Sequence, residues 1–142
     1  MATFNATKSF GSPLAIAGNG DGQSAKIMVC EYAWTTALLL NDLIQSPPLP
    51  KGAVVTDVSI TTSSMGAAAV TLDVGYGTDP DYFIAASTIG VAGGVARASA
   101  ATAKPLVLAD NDTIDVLIKV APTTPTSTGS ISLVVSYVMQ TA

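Results

Sequence analysis

The sequence predicts an all-β fold, and three observations carry the prediction. Short apolar runs alternate in and out with a period of two, the pattern of strands with one buried face. Gly, Pro, Asn and Asp clusters punctuate these runs at short intervals, as in sandwiches and barrels. Helical periodicity is nearly absent: "STIGVAGGVARASAATA" is rich in alanine but broken by Gly90, Gly93 and Gly94, and each interior glycine costs a helix about 1 kcal/mol.

Residues 1–24 lack clear periodicity and end in the glycine-rich "AGNGDGQS". They are expected to form an extended N-terminal arm preceding a single domain over 25–142. "AKIMVCEYAW" reads as the first strand of that domain. "ALLLNDLIQS" reads as the second, closed by Pro47, Pro48 and Pro50, since proline cannot sit inside a central strand. After a turn at Lys51-Gly52, Val54, Val58 and Ile60 are expected to share an inward face, with Val55 out of step. In "AVTLDVGYG", Val70, Leu72, Val74 and Tyr76 point one way. Asp79-Pro80-Asp81 reads as a turn, followed by a short strand and a long glycine-kinked loop up to Arg97.

"KPLVLADNDTIDVLIKVAP" is expected to hold two strands around Asp110-Asn111-Asp112, whose side chains favour turns by bonding the nearby backbone. Ile114, Val116, Ile118 and Val120 form its inward row. The last strand, "SISLVVSYVMQ", buries Ile131, Leu133, Val135, Tyr137 and Met139. About eight strands result, which is the number of a jelly roll; an immunoglobulin-like sandwich fits the same periodicity. Leu117, Val134 and Val138 lie on rows that face solvent in a lone sandwich, so either another element covers them or they mark an interface.

Composition narrows the function. The chain has 142 residues, enough for one domain with its own core, and 49% of them are apolar. Only 11% are charged, against about 25% in ordinary domains. So sparse a charge suits a surface partly covered in a larger assembly. A net charge of −4 and the lack of any basic run argue against nucleic-acid and membrane-surface binding. The N-terminus lacks signal-peptide character, and no apolar run reaches the ~20 residues of a membrane helix. Synthesis in the cytoplasm is expected.

Catalysis finds little support. There is no histidine and one cysteine, Cys30, which excludes Ser-His-Asp and Cys-His arrangements, internal disulfides and Cys/His zinc sites. Cys30, beside Ile27, Met28 and Val29, reads as a small buried apolar residue. The acid pairs Asp79/Asp81 and Asp110/Asp112 flank turns rather than an aromatic-lined cleft, as glycosidases require. Gly93-Gly94 followed by Arg97 outlines a phosphate loop, but the Lys-Ser or Lys-Thr that such a loop needs is missing. No enzyme, cofactor or metal is expected.

Five stretches together resemble a family. They are "MATFNATKS", "LLLNDLIQSPPLPKGAVVTDVSI", "DVGYGTDPDYFIAASTIGVAGGVAR" with "VLADNDTIDVLIKV", and "TTPTSTGSISLVVSYV". In order and spacing they resemble the capsid decoration (cement) proteins of tailed bacteriophages, encoded beside the major capsid protein. The resemblance implies an eight-stranded antiparallel jelly-roll sandwich. It implies a homo-oligomer, trimer ahead of dimer, on the outer surface of the virion capsid. There the protein binds major capsid protein subunits and stabilises their contacts. Expected interface residues are Phe4 and Phe10 in the arm, Tyr82, Phe83 and Arg97 in the crossing segment, and Leu117, Val134 and Val138 on outward rows. The alternative is a non-catalytic glycan-binding or adhesive β-sandwich module.

Overall fold

A computed structural model describes residues 1–5, 8–10 and 25–139, and no helix occurs among them. The strands are β1 (Thr3–Asn5), β2 (Lys8–Phe10), β3 (Lys26–Trp34), β4 (Leu43–Gln45), β5 (Ala53–Thr62), β6 (Gly66–Ala67) and β7 (Thr71–Tyr76). They continue with β8 (Asp79–Ser87), β9 (Gly94–Arg97), β10 (Leu106–Val107), β11 (Ile114–Val120), β12 (Thr124–Pro125) and β13 (Gly129–Met139).

Two sheets face each other. The first has the order β1-β4-β11-β7-β8, the second β10-β5-β13-β3-β2, with β9 also paired to β5. Set aside the short β1 and β2 at the edges and the small β6/β12 ladder. The remainder is β4-β11-β7-β8 against β3-β13-β5, with β9 and β10 sharing the free edge of β5. The chain passes between the sheets so that two Greek keys interleave, which is the jelly roll. It settles the choice that periodicity left open against the immunoglobulin-like sandwich.

The core lies between the sheets, one row from each strand. Met28, Cys30 and Trp34 of β3 meet Ile131, Leu133, Val135 and Tyr137 of β13 on one side. Leu72 and Val74 of β7 join Ile114, Val116 and Ile118 of β11 on the other. All are buried. Each such side chain contributes roughly 1.5–3 kcal/mol by leaving water.

Two bulges correct the expected rows. Opposite β13, the register of β5 slips between Ser136 and Tyr137, so Tyr137 pairs with Val55 and Ser136 with Asp57. One extra residue flips the side-chain parity. Val55 is therefore fully buried, and Val54, expected inward, is only half-buried. A second slip lies between Ile118 and Val120 on β11. It turns Val120 outward, to 39% exposure.

Other elements also differ from their sequence reading. Asp79-Pro80-Asp81 opens strand β8, and the turn before it is Gly77-Thr78. The Tyr82–Arg97 crossing segment is not one loop. Most of β8 and all of β9 lie in it, one in each sheet, joined by a tight turn over 88–93. Only Leu43–Gln45 of "ALLLNDLIQS" is strand, and Leu39 and Leu40 stand exposed in the turn before it.

The first residues of the N-terminal segment run along both sheet edges. β1 pairs in parallel with β4 of the first sheet, and β2 antiparallel with β3 of the second. The Phe4 and Tyr32 rings, 5.2 Å apart, close the gap between those edges. The rest of the segment, 11–24, lies outside the described residues.

Candidate functional site

The outer face of the second sheet is a regular surface whose rows cross-strand register defines. Val29 pairs with Val134, Val134 with Ser59, and Ser59 with Arg97. One row down, Ile27 pairs with Ser136, and Ser136 with Asp57. Below these lie Val138, Val54 and Val107. Side chains paired this way share a face. The result is a valine-rich surface, half-buried at its centre and open at Ile27 (59% exposed) and Val107 (49%).

Charged groups border this surface. Arg97 donates to Asp57 in an ion pair on the same face. The hydrogen bond and charge of Asp57 hold the Arg97 guanidinium above its ordinary pKa. Arg97, an expected interface residue, thus already has a carboxylate partner within the chain. At the upper margin the Ser132 hydroxyl lies 3.5 Å from the Glu31 carboxylate.

The eight expected interface residues do not converge on one site. Val134 and Val138 lie on the valine face, with Arg97 at its rim. Phe10 occupies the register position across from Val29. Leu117 is on the opposite side of the molecule, half-buried on the outer face of the first sheet between Leu43 and Asp73. Phe4 is spent on Tyr32. Phe83, at 2% exposure, is core, so its side chain is not offered to a partner. Tyr82 packs edge-on against Tyr76 and Phe83, with centroids 5.3 and 4.9 Å away. Its hydroxyl donates to the Lys104 carbonyl, while its own carbonyl accepts from Thr102. The Phe83 carbonyl accepts from the amides of Ser99 and Ala100. The Tyr82-Phe83 pair thus anchors the 98–104 segment.

Sequence reasoning missed Ile27, Val29 and Asp57. The signal for the first two was present: residues 27–30 are apolar without a break, the mark of a strand covered on both faces.

Among the described residues, no three His, Cys, Asp or Glu side chains gather as metal ligands would. Burial raises the Cys30 thiol to about 11, far from a reactive thiolate. Desolvation, then the hydrogen bond and charge of Asp81, raise the Asp79 carboxyl above its usual value. A cleft of about 310 Å³ lies at the lower end of the sandwich, between the β7–β8 turn and the 106–112 segment. Tyr76, Asp110 and Asp112 line it.

The fold is a jelly-roll sandwich whose second sheet presents a valine-rich outer face. Comparison with solved structures gives that fold a setting. A chain from the capsid of Ralstonia phage GP4 has the same fold, with a TM-score of 0.74 and 25% identity, over 99% of this chain and 100% of that one. A chain from the cyanophage Pam1 capsid asymmetric unit gives 0.75 and 25%, over 94% of this chain and 98% of its own. No protein-family model and no curated protein matches. The protein is therefore related to phage capsid proteins.

Proposed function

We propose that the protein decorates the head of a tailed bacteriophage. It is made in the host bacterial cytoplasm and binds the outer surface of the icosahedral capsid. There it stabilises contacts between major capsid protein subunits. The carrying observation is the whole-chain likeness to chains of two phage capsids. Its mechanism is binding alone: many weak contacts on one shell act together as avidity. The valine face of Val29, Val134 and Val138, with Arg97 at its rim, supplies the contact with the shell. Burying it removes apolar area from water at roughly 25 cal/mol per Å².

The test is to mix the purified protein with undecorated heads and sediment them. Binding at a fixed copy number per head supports the assignment; no binding removes it. Val134→Asp is expected to weaken binding while the protein stays folded. A glycan-binding module would instead use the cleft of Tyr76, Asp110 and Asp112. Selective glycan binding by protein that ignores heads would transfer the assignment there.

A further inference from the structure

The cleft at the lower end of the sandwich has an apolar interior and acidic groups along one side. The β7–β8 turn brings Tyr76 and Gly77 to it, and the 106–112 segment brings Leu106, Leu108, Asp110 and Asp112. Leu108, 2% exposed, forms the floor, and Leu106 and Tyr76 are half-buried. Asp110, its side chain 89% exposed, stands at the mouth, while Asp112 is half-buried. The volume of about 310 Å³ is at the low end of ligand pockets, roughly 300–1,000 Å³. It suits one long side chain better than an oligosaccharide.

The walls are held in place before any ligand arrives. Leu106 and Val107 pair with Val55 and Val54 of β5. The Leu108 amide donates to the Ala53 carbonyl, and the Leu108 carbonyl accepts from Gly52, both at 2.9 Å. Asp112 exchanges backbone hydrogen bonds with Leu49 at 2.7 and 3.1 Å. Its Oδ1 accepts from the Thr113 amide at 2.8 Å. The carboxylate is thereby fixed with Oδ2 toward Gly77, where a Cβ would stand 2.7 Å away. Glycine at 77 keeps that space open, and Oδ2 has no hydrogen-bond partner among the described residues. Such pre-organisation lowers the cost of binding.

Negative charge at the cleft is under-compensated. Asp79 opens β8 just beyond the turn. Desolvation raises the Asp115 carboxyl, and the charge of Asp112 raises it further. Lys51 reaches Asp110 only at 3.9 Å, with both side chains largely exposed, and such a pair is weak and readily exchanged. Neither Lys51 nor Lys104 lines the cleft. The ligand that fits is a cation, and its class follows from the walls. A bare divalent ion takes about six or more oxygens, more than the carboxylates of two residues supply. A cation on an apolar stem matches the whole lining. Its methylenes lie against Leu106 and Leu108, and a planar guanidinium meets both Tyr76 and the carboxylates.

We propose that this cleft seats an arginine side chain presented by a partner protein, with Asp110 and Asp112 Oδ2 as acceptors and Leu106, Leu108 and Tyr76 around the stem. Val107 both lines the cleft and ends the valine face, so one partner can cover the two together. The isolated protein carries the cleft complete, so the inference stands whether or not the protein binds heads.

Titration of the isolated protein, followed by nuclear magnetic resonance, tests it. The probes are a blocked tripeptide with arginine between two alanines and the same peptide with neutral citrulline. The arginine peptide is expected to give saturable shifts at Gly77, Leu106 and Asp112 in the millimolar range. Citrulline should bind about tenfold more weakly, the worth of two exposed ion pairs. Combining Asp110→Asn with Asp112→Asn keeps the shape of the cleft. It should lose the same factor of about ten for the arginine peptide, with the circular dichroism spectrum unchanged. Equal binding of the two peptides to the wild-type protein overturns the proposal. So does a lack of saturable shifts, or saturation only at residues outside the cleft. If maltotriose shifts the cleft residues and the arginine peptide does not, the cleft is a sugar site and the proposal fails.

Discussion

Gly129 lies directly against the indole of Trp34. A Cβ built on Gly129 would stand 2.1 Å from Cζ2 of that ring and 2.5 Å from Cη2. The two residues are register partners at the upper end of the β3–β13 ladder. Trp34 is among the largest fully buried side chains and fills the space under the upper loops. Its fit requires glycine opposite it, because real Cβ contacts do not approach so closely.

Gly129→Ala is accordingly expected to destabilise the protein by about 1–3 kcal/mol, the usual cost of overpacking. Trp34 is the only tryptophan, so native fluorescence reports its displacement directly. Phenylalanine has no atoms where the far edge of the indole lies. Adding Trp34→Phe to Gly129→Ala should therefore recover part of the loss, a coupling that a double-mutant cycle measures. Unchanged stability and emission in Gly129→Ala would contradict the packing.

A second relationship sits on the outer face of the first sheet. Asp73, 2% exposed, accepts from the Ala86 amide at 2.6 Å and pairs with Lys119 Nζ at 3.0 Å. Ala86 has a φ of 49°, a left-handed conformation that alanine adopts only under constraint. Asp73→Ala strands both donors and is expected to cost about 2–3 kcal/mol. Ala86→Gly relieves the backbone and should gain up to about 1 kcal/mol. Chemical denaturation of both variants checks the pair, and opposite signs are required.

How much of this was legible in the sequence depends on range. Leu72 and Val74, and Ile131 through Tyr137, alternate cleanly because their strands are regular, and period two is a local signal. Val54 and Val120 were misassigned because a bulge is set by the partner strand, which periodicity does not see. Val134 and Val138 were picked out as outward apolar residues, yet their companions Ile27 and Val29 were not. The Arg97–Asp57 pair joins residues 40 positions apart, so only strand pairing reveals it.

Cys30 gives a prediction about access. It is 1% exposed and its thiol is raised to about 11 by burial. The native protein should therefore leave a thiol reagent unreacted at pH 8, and denaturant should release one thiol per chain. Cys30→Ala loses a well-packed atom and is expected to cost about 1 kcal/mol. Rapid labelling of the folded protein would show that β3 opens far more readily than this packing allows.

Asp115 makes the pH dependence of stability testable. Desolvation is the main cause that raises its carboxyl above the ordinary 3.8, and the charge of Asp112 adds to it. Hydrogen bonds with Thr113 and Gln45 act the other way; the Thr113 hydroxyl donates to Asp115 at 2.6 Å. Because its pKa is higher in the folded chain, the folded state binds the proton more tightly. As pH rises from the ordinary carboxylate value through the raised one, this group's contribution to stability falls. Above that window the full penalty of a desolvated charge remains. Asp115→Asn keeps an oxygen to accept from Thr113 and removes the charge. It should raise stability at pH 7 by less than about 1 kcal/mol after solvent screening, and flatten the decline that sets in as pH rises above the ordinary carboxylate value. Denaturation midpoints across that range measure both effects. A variant less stable than wild type at pH 7 would mean that the Asp115 charge supports β11 between its two neighbours rather than burdening it.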